Sequence, residues 1–243
     1  MDTAVVAGRR AVAEALRAGV AGEVLVDRAA RSTQGMRDVV DAASAASVPL
    51  RTVDRDELDR LATDHRGVVA RTRAAPRELG ERDLATFPFA DDALVVVLDG
   101  VEDPQNLGAA ARTAEAAGAA ALVTRTRRAA PVSAAAIRAS SGALLHLPHA
   151  RVANIAKAIG RLQEHGFTVV GLDGAAGATI YDEPAPAGRL AIVVGAEGTG
   201  LSRLVRERCD ALVALPMHGR VGSLNASAAL AATLYGYALH RAR

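Results

Sequence analysis

The rhythm of apolar and polar positions changes near residue 93. Beyond it, short runs that are apolar at nearly every position, at 94–98, 120–124, 144–148, 168–172, 190–194 and 211–215, alternate with segments of helical spacing at 106–117, 133–140, 152–165, 202–207 and 225–241. Strands without a polar face are buried on both sides, and helices between them make neighbouring strands parallel. The pattern therefore predicts an α/β domain with a mostly parallel sheet covered on both faces. The region before it reads as a smaller α/β unit. A helix at 9–17 carries Val12 and Leu16 on one face and ends at Gly19 as a C-cap. Strands at 23–27 and 49–53, helices at 33–46 and 56–62, and a final apolar stretch at 68–70 complete it. Residues 73–92, punctuated by Pro76, Gly80 and Pro88, read as a linker, so the expected domains are 1–72 and 93–243.

Half of the 243 residues are hydrophobic, yet charged residues or glycine break every apolar run well short of the roughly 20 residues that a membrane helix requires. The first residues carry Asp2 where a signal peptide has its basic region, so a cytoplasmic, membrane-free protein is expected. A single cysteine, Cys209, precludes an internal disulfide and reads as a buried, inert thiol. The net charge of +2 says little about partners, but its distribution says more. Between residues 116 and 163 there is no Asp or Glu, while Arg125, Arg127, Arg128, Arg138, Arg151, Lys157 and Arg161 all fall there. Such a block is either a phosphate footprint or an arginine-rich solvated surface. Aromatic residues make up only 2%, which excludes base stacking as the main mode of binding.

Three glycine-bearing segments follow apolar strands: Leu98-Asp99-Gly100-Val101-Glu102-Asp103-Pro104-Gln105-Asn106-Leu107-Gly108 running to Arg112, Val193-Val194-Gly195-Ala196-Glu197-Gly198-Thr199-Gly200-Leu201, and 215–227. Loops at the carboxyl ends of parallel strands are where α/β sheets hold ligands. The middle loop has G-x-x-G-x-G spacing and follows a late strand, which argues against a dinucleotide fold, and no Walker A sequence occurs. Gly108 lies one helical turn before Arg112, and its missing side chain is expected to leave room beside the guanidinium. Taken alone, Arg112 reads as a partner for Glu115 on a solvated helix, and Glu197 as a solvated loop carboxylate. Ser223 and Asn225 suit helix caps, and Ser227 follows the face of Leu230 and Leu234 as packing. The six histidines show no ligand spacing, so no metal is expected.

Taken together and in this order, the three segments resemble the signature motifs of the SpoU (TrmH) family of RNA ribose 2′-O-methyltransferases. The resemblance implies a C-terminal trefoil-knotted SPOUT domain, an exception to the rule against knotted chains. It implies S-adenosylmethionine as cofactor, held by Gly195, Gly198, Gly200, Leu201, Leu215, Met217 and Leu224. It also implies Arg112 as the catalytic arginine, with Asn106, Glu197, Ser223 and Asn225 completing the site. Arginine resists deprotonation at neutral pH, so Arg112 is expected to stay a cation that stabilises the developing alkoxide, the proton passing to a phosphate or to Glu197. The segments 8–16 and 65–70 are similar to the ends of the small ribosomal-protein-like domain found in rRNA-modifying members such as the RlmB branch, whose substrate is a guanosine of 23S rRNA. RNA contacts are accordingly expected from Arg9, Arg10 and Arg66, joined by Arg125, Arg127, Arg128 and Arg138. A homodimer is expected from the family and from the Ala-rich last helix. The alternatives are a tRNA or a different rRNA position, as in resistance-conferring members, or a non-catalytic RNA-binding protein. The latter would have no use for the five polar site residues together.

Overall fold

The computed structural model describes residues 5–17, 19–30, 32–72, 78–182, 185–220 and 222–241. The first unit runs β1 (Val5–Ala7), α1 (Arg9–Arg17), β2 (Ala21–Asp27), α2 (Gln34–Ala45), β3 (Leu50–Val53), α3 (Arg55–Leu61) and β4 (Val68–Thr72). Its four strands are ordered β1-β4-β2-β3, with β4 antiparallel to both neighbours and β2 parallel to β3.

The second unit runs β5 (Glu78–Leu79), α4 (Glu81–Ala85), β6 (Leu94–Asp99), α5 (Pro104–Ala116), β7 (Ala121–Arg125), α6 (Ala134–Ala139), β8 (His149–Val152), α7 (Ile155–Glu164), β9 (Thr168–Leu172), β10 (Ala178–Thr179), β11 (Leu190–Gly195), α8 (Arg203–Arg208), β12 (Ala211–Ala214) and α9 (Ala226–Arg241). Eight strands form one sheet in the order β10-β12-β9-β11-β6-β7-β8-β5, and every pairing in it is parallel. Alternation along each strand feeds two cores. Val96, Leu98, Ile192 and Val194 pack on the side of α5 and α9, against Leu107, Leu230 and Leu234. Val95, Val97, Ala191 and Val193 pack on the other side, against Ile155, Ile159 and Leu162 of α7. Side-chain caps set the starts of helices: Asp103 accepts from the Gln105 N–H at 3.0 Å, and Asn154 from the Lys157 N–H at 3.1 Å.

Three expectations need revision. The apolar run 144–148 is not a strand. Ala143–Leu145 form a 3₁₀ turn whose leucines are buried with Leu107 of α5, and the strand begins at His149. Residues 78–92 do more than link. β5 extends the large sheet, and Leu79, Leu84 and Phe89 are buried in its second core, Phe89 meeting Phe167 edge to face at 4.9 Å. Of the expected linker, 73–77 lie outside the described residues. The two units are not joined only by that segment either. Val12 and Leu16 of α1 share one apolar cluster with Ile137 of α6 and Leu144, and Arg138 pairs with Asp64 at 3.2 Å across the junction. Among the described residues no helix is long and apolar enough to cross a membrane.

Candidate active site

At the carboxyl ends of the central strands, β11 closes on Gly195, in register with Asp99 at the end of β6. The chain then doubles back, and Ala196 and Gly200 exchange two backbone hydrogen bonds of 3.2 and 2.9 Å. A Cβ placed on Gly195 would stand 2.1 Å from the Gly200 carbonyl carbon. Glycine is thus demanded there by the return of the chain itself, not by the approach of a ligand. Gly198 and Gly200 adopt φ of +77° and +67°, which side chains disfavour.

This loop, the loop after β9 and the segment after β12 enclose a cleft of about 320 Å³. Gly195, Glu197, Gly198, Gly200, Leu215, Met217, Ser223 and Leu224 all line it. Leu201 does not; it turns onto the second core, where its Cδ1 would lie 2.8 Å from a Cβ on Gly171. Val221 lies outside the described residues. Asp173 and Gly174, in the 171–174 loop that the family resemblance also implies as part of the cofactor site, line the cleft too, Asp173 held by Arg206 of α8 at 2.9 Å.

One hydrogen-bonded group joins the three motifs. The Asn106 side-chain amide donates to Glu197 Oε1 at 3.1 Å, and the Asn225 amide donates both to Asn106 Oδ1 at 2.8 Å and to the same Glu197 oxygen. Asn225 Oδ1 simultaneously accepts from the Ser227 N–H at 2.9 Å and the Ser227 hydroxyl at 2.6 Å, so the residue caps α9 while it holds the carboxylate. Ser227 therefore bonds to the site as well as packing beside it. Hydrogen bonds from amides to a carboxylate are charge-assisted and fix its orientation.

Arg112 is elsewhere. It is exposed on α5 and lines a second, larger cleft of about 600 Å³ between the two units, together with Arg9, Arg10, Arg17, Glu115 and His146. No ion pair joins Arg112 to Glu115 among the described residues. Gly108 leaves no space beside the guanidinium: a Cβ there would lie 2.5 Å from Ala139 Cβ and 2.6 Å from the Ala136 carbonyl, so its role is close packing of α5 on α6. Of the other expected RNA contacts, Arg9 donates to Thr33 Oγ1 at 2.9 Å from the wall of the cleft, and Arg66 and Arg138 both pair with Asp64. Arg127 and Arg128 are exposed beyond β7. Arg125, by contrast, is drawn inward by the buried Asp99 carboxylate.

Burial pushes the Cys209 thiol up to about 12, so it carries no thiolate at neutral pH. Among the described residues no cluster of three or more His, Cys, Asp or Glu is arranged to hold a metal ion.

Comparison with known proteins places the chain in a family. Residues 93–235 match the model of the SpoU rRNA methylase family, and residues 5–77 match a model described as RNA 2′-O ribose methyltransferase substrate binding. The chain is 40% identical over 248 residues to a TrmH family tRNA/rRNA methyltransferase of Staphylococcus haemolyticus, covering 100% of this chain and 97% of the relative. It is 41% identical over 246 residues to a tRNA/rRNA methyltransferase of Mycolicibacterium vanbaalenii, covering 99% and 77%. The crystal structure of the SpoU methyltransferase AviRb from Streptomyces viridochromogenes with AdoMet superposes with a TM-score of 0.76 at 27% identity, covering 97% of this chain and 89% of that one.

Proposed function

Because the chain belongs to the SpoU (TrmH) family of S-adenosylmethionine-dependent RNA methyltransferases, we propose that it methylates the ribose 2′-hydroxyl of a guanosine in 23S rRNA, as in the RlmB branch. The observation that carries this reading is the Asn106–Glu197–Asn225 group, which ties all three motifs to the rim of the glycine-loop cleft. That cleft suits the cofactor. Its volume of about 320 Å³ falls in the range of small-molecule sites, and its walls combine backbone from the strand ends with Leu215, Met217 and Leu224. When bound there, S-adenosylmethionine supplies an electrophilic methyl group on a sulfonium.

The residues of the chain divide the remaining work. Asn106 and Asn225 hold the Glu197 carboxylate at the cleft, where it orients the incoming ribose. Arg112 lines the cleft between the units and not this one, so its part requires RNA that spans both clefts; there it stays charged and stabilises the alkoxide that forms as the 2′-hydroxyl loses its proton, the proton passing to a phosphate or to Glu197. Positioning the acceptor oxygen in line with the methyl group supplies much of the rate. The arginine-lined cleft between the units receives the RNA backbone, with Arg9 and Arg10 beside Arg112.

We further propose a homodimer and a knotted path. Met217, Leu224, Tyr181 and Tyr235 are 39%, 45%, 65% and 50% exposed, an apolar rim near the cleft and the last helix that a second copy would cover. Return of α9 against α5 and β11, with β12 beyond β9, supports threading of the C-terminal segment. The test is transfer of labelled methyl from S-adenosylmethionine to 23S rRNA, 16S rRNA and tRNA transcripts, followed by mapping of 2′-O-methyl positions. Methylation of one 23S guanosine is expected. Modification of tRNA alone would overturn the rRNA assignment, and no transfer to any of the three would leave a non-catalytic RNA-binding protein.

A further inference from the structure

Asp99 ends β6 with its carboxylate 2% exposed. One carboxylate oxygen accepts the Ser202 N–H at 2.8 Å, and the other is paired with Arg125 Nη2, which also donates to Ser202 Oγ at 3.3 Å. A buried carboxylate is costly unless donors and a countercharge meet it, and here both converge on Ser202. Ser202 directly follows the loop that lines the cleft and opens α8, whose Arg206 grips Asp173 on the opposite wall. The loop therefore has two anchors. Its near end folds over Gly195 through the Ala196–Gly200 bonds, and its far end is fastened to Asp99. Glu197, Gly198 and Thr199 form the turn that the Ala196–Gly200 bonds close, Ser202 fixes where that turn sits two residues beyond Gly200, and it is Glu197 that Asn106 and Asn225 engage.

We propose that Asp99 and Arg125 are positioning residues that hold the 196–202 loop in its cofactor-binding shape, so that Arg125 sets affinity for the cofactor and not for RNA. The pair touches no substrate and acts through Ser202. Removal of Arg125 leaves Asp99 buried with an uncompensated charge, which favours lifting of the loop toward solvent. Arg125 stands in the sequence beside Arg127 and Arg128 and looks like one of a phosphate-binding trio, yet its side chain is only 28% exposed and its guanidinium points to the loop. This inference rests on the reading of the glycine-loop cleft as the S-adenosylmethionine site.

The experiment compares Arg125→Met, Arg125→Lys and Asp99→Asn with the parent by calorimetry with S-adenosylmethionine, by steady-state methylation, by RNA binding across salt, and by amide exchange in the absence of ligand. Cofactor affinity should fall about 10- to 100-fold in Arg125→Met and Asp99→Asn, the span typical when groups that hold ligating groups in place are removed. KM for the cofactor should rise while kcat at saturation stays near the parent's, RNA affinity and its salt slope should be unchanged, and Arg125→Lys should recover part of the loss. The Gly200 and Ser202 amides should exchange faster. Should Arg125→Met fail to fold, the isosteric Asp99→Asn carries the same expectation. Parental cofactor affinity in a folded variant, or a reduced RNA salt slope with cofactor affinity intact, would overturn the proposal. A parent that binds no S-adenosylmethionine would refute the reading of the cleft, while the exchange rates would still decide whether the pair holds the loop.

Discussion

His149 opens β8 with its ring fully buried, Nε2 bonded to Thr124 Oγ1 at 2.7 Å and Nδ1 without a partner among the described residues. Burial, reinforced by the nearby Arg151 charge, lowers its pKa from 6.5 to about 4. The folded protein therefore keeps this ring neutral under conditions where the unfolded chain protonates it. The stability this provides is complete above pH 6.5, declines as pH falls from 6.5 toward 4, and declines no further below that. The fall from 6.5 to about 4 corresponds to roughly 3 kcal/mol in all, of which roughly 2 kcal/mol should be lost between pH 7 and pH 5. Urea unfolding at pH 7 and pH 5 measures this directly, with His149→Leu as the comparison. The variant will be weaker at neutral pH, because Thr124 loses its partner, but its stability should fall by roughly 2 kcal/mol less between the two pH values. A parent whose stability is flat over that interval, or a variant that loses as much as the parent, would show that this buried imidazole is not what the acid side of the profile reports.

Arg112→Ala should abolish methyl transfer and leave cofactor affinity at the parental level, since Arg112 lines the cleft between the units and not the glycine-loop cleft; Arg112→Lys should not restore turnover, and near-parental rates in either variant would remove the assigned role. Gly108→Ala should cost about 1–3 kcal/mol, read as a lower thermal midpoint, because its Cβ would press on Ala139 and the Ala136 carbonyl; an unchanged midpoint would mean that α5 and α6 separate freely. Replacing Arg9 and Arg10 together by Ala should weaken RNA binding and reduce its salt dependence by up to about two units of slope, at roughly 0.7 to 0.9 per phosphate contact, and an unchanged slope would move the footprint out of this cleft.

The large sheet was legible because strands such as β6 and β11 are apolar on both faces, which leaves few alternatives to a buried parallel arrangement. The same signal misled at 144–148. Apolarity reports burial and not extension, and Leu144 and Leu145 are buried from a 3₁₀ turn under α5. Short elements escaped for a related reason. β5 spans two residues and α4 five, and Gly80, taken as linker punctuation, begins α4 with its N–H bonded to Asp83 at 2.8 Å. Arginines were the least legible residues of all. Their charge is plain in the sequence, but the partner that turns Arg125 inward, Asp99, lies 26 residues away on another strand.

Glycines in the motifs raise the same difficulty in a sharper form, because a missing side chain marks a space without saying what fills it. At Gly108 the space is taken by α6, at Gly171 by Leu201, Cys209 and Leu212, and at Gly195 by the returning chain at Gly200. None of these three is emptied for a ligand, although each stands in a segment that borders one of the clefts. The cofactor-binding surface we propose is instead the outer side of a loop whose inner side is packed against its own strand. Its shape therefore depends on residues behind it, Gly195 beneath the turn and Asp99 beyond it, as much as on those that face the cleft. This is why a motif can be conspicuous in glycines and still be read wrongly at one of them, as at Gly108. The spacing records a fold-back that needs glycine at 195, 198 and 200, while the chemistry proposed for the rim rests on Glu197 and the two asparagines that reach it from α5 and from the start of α9.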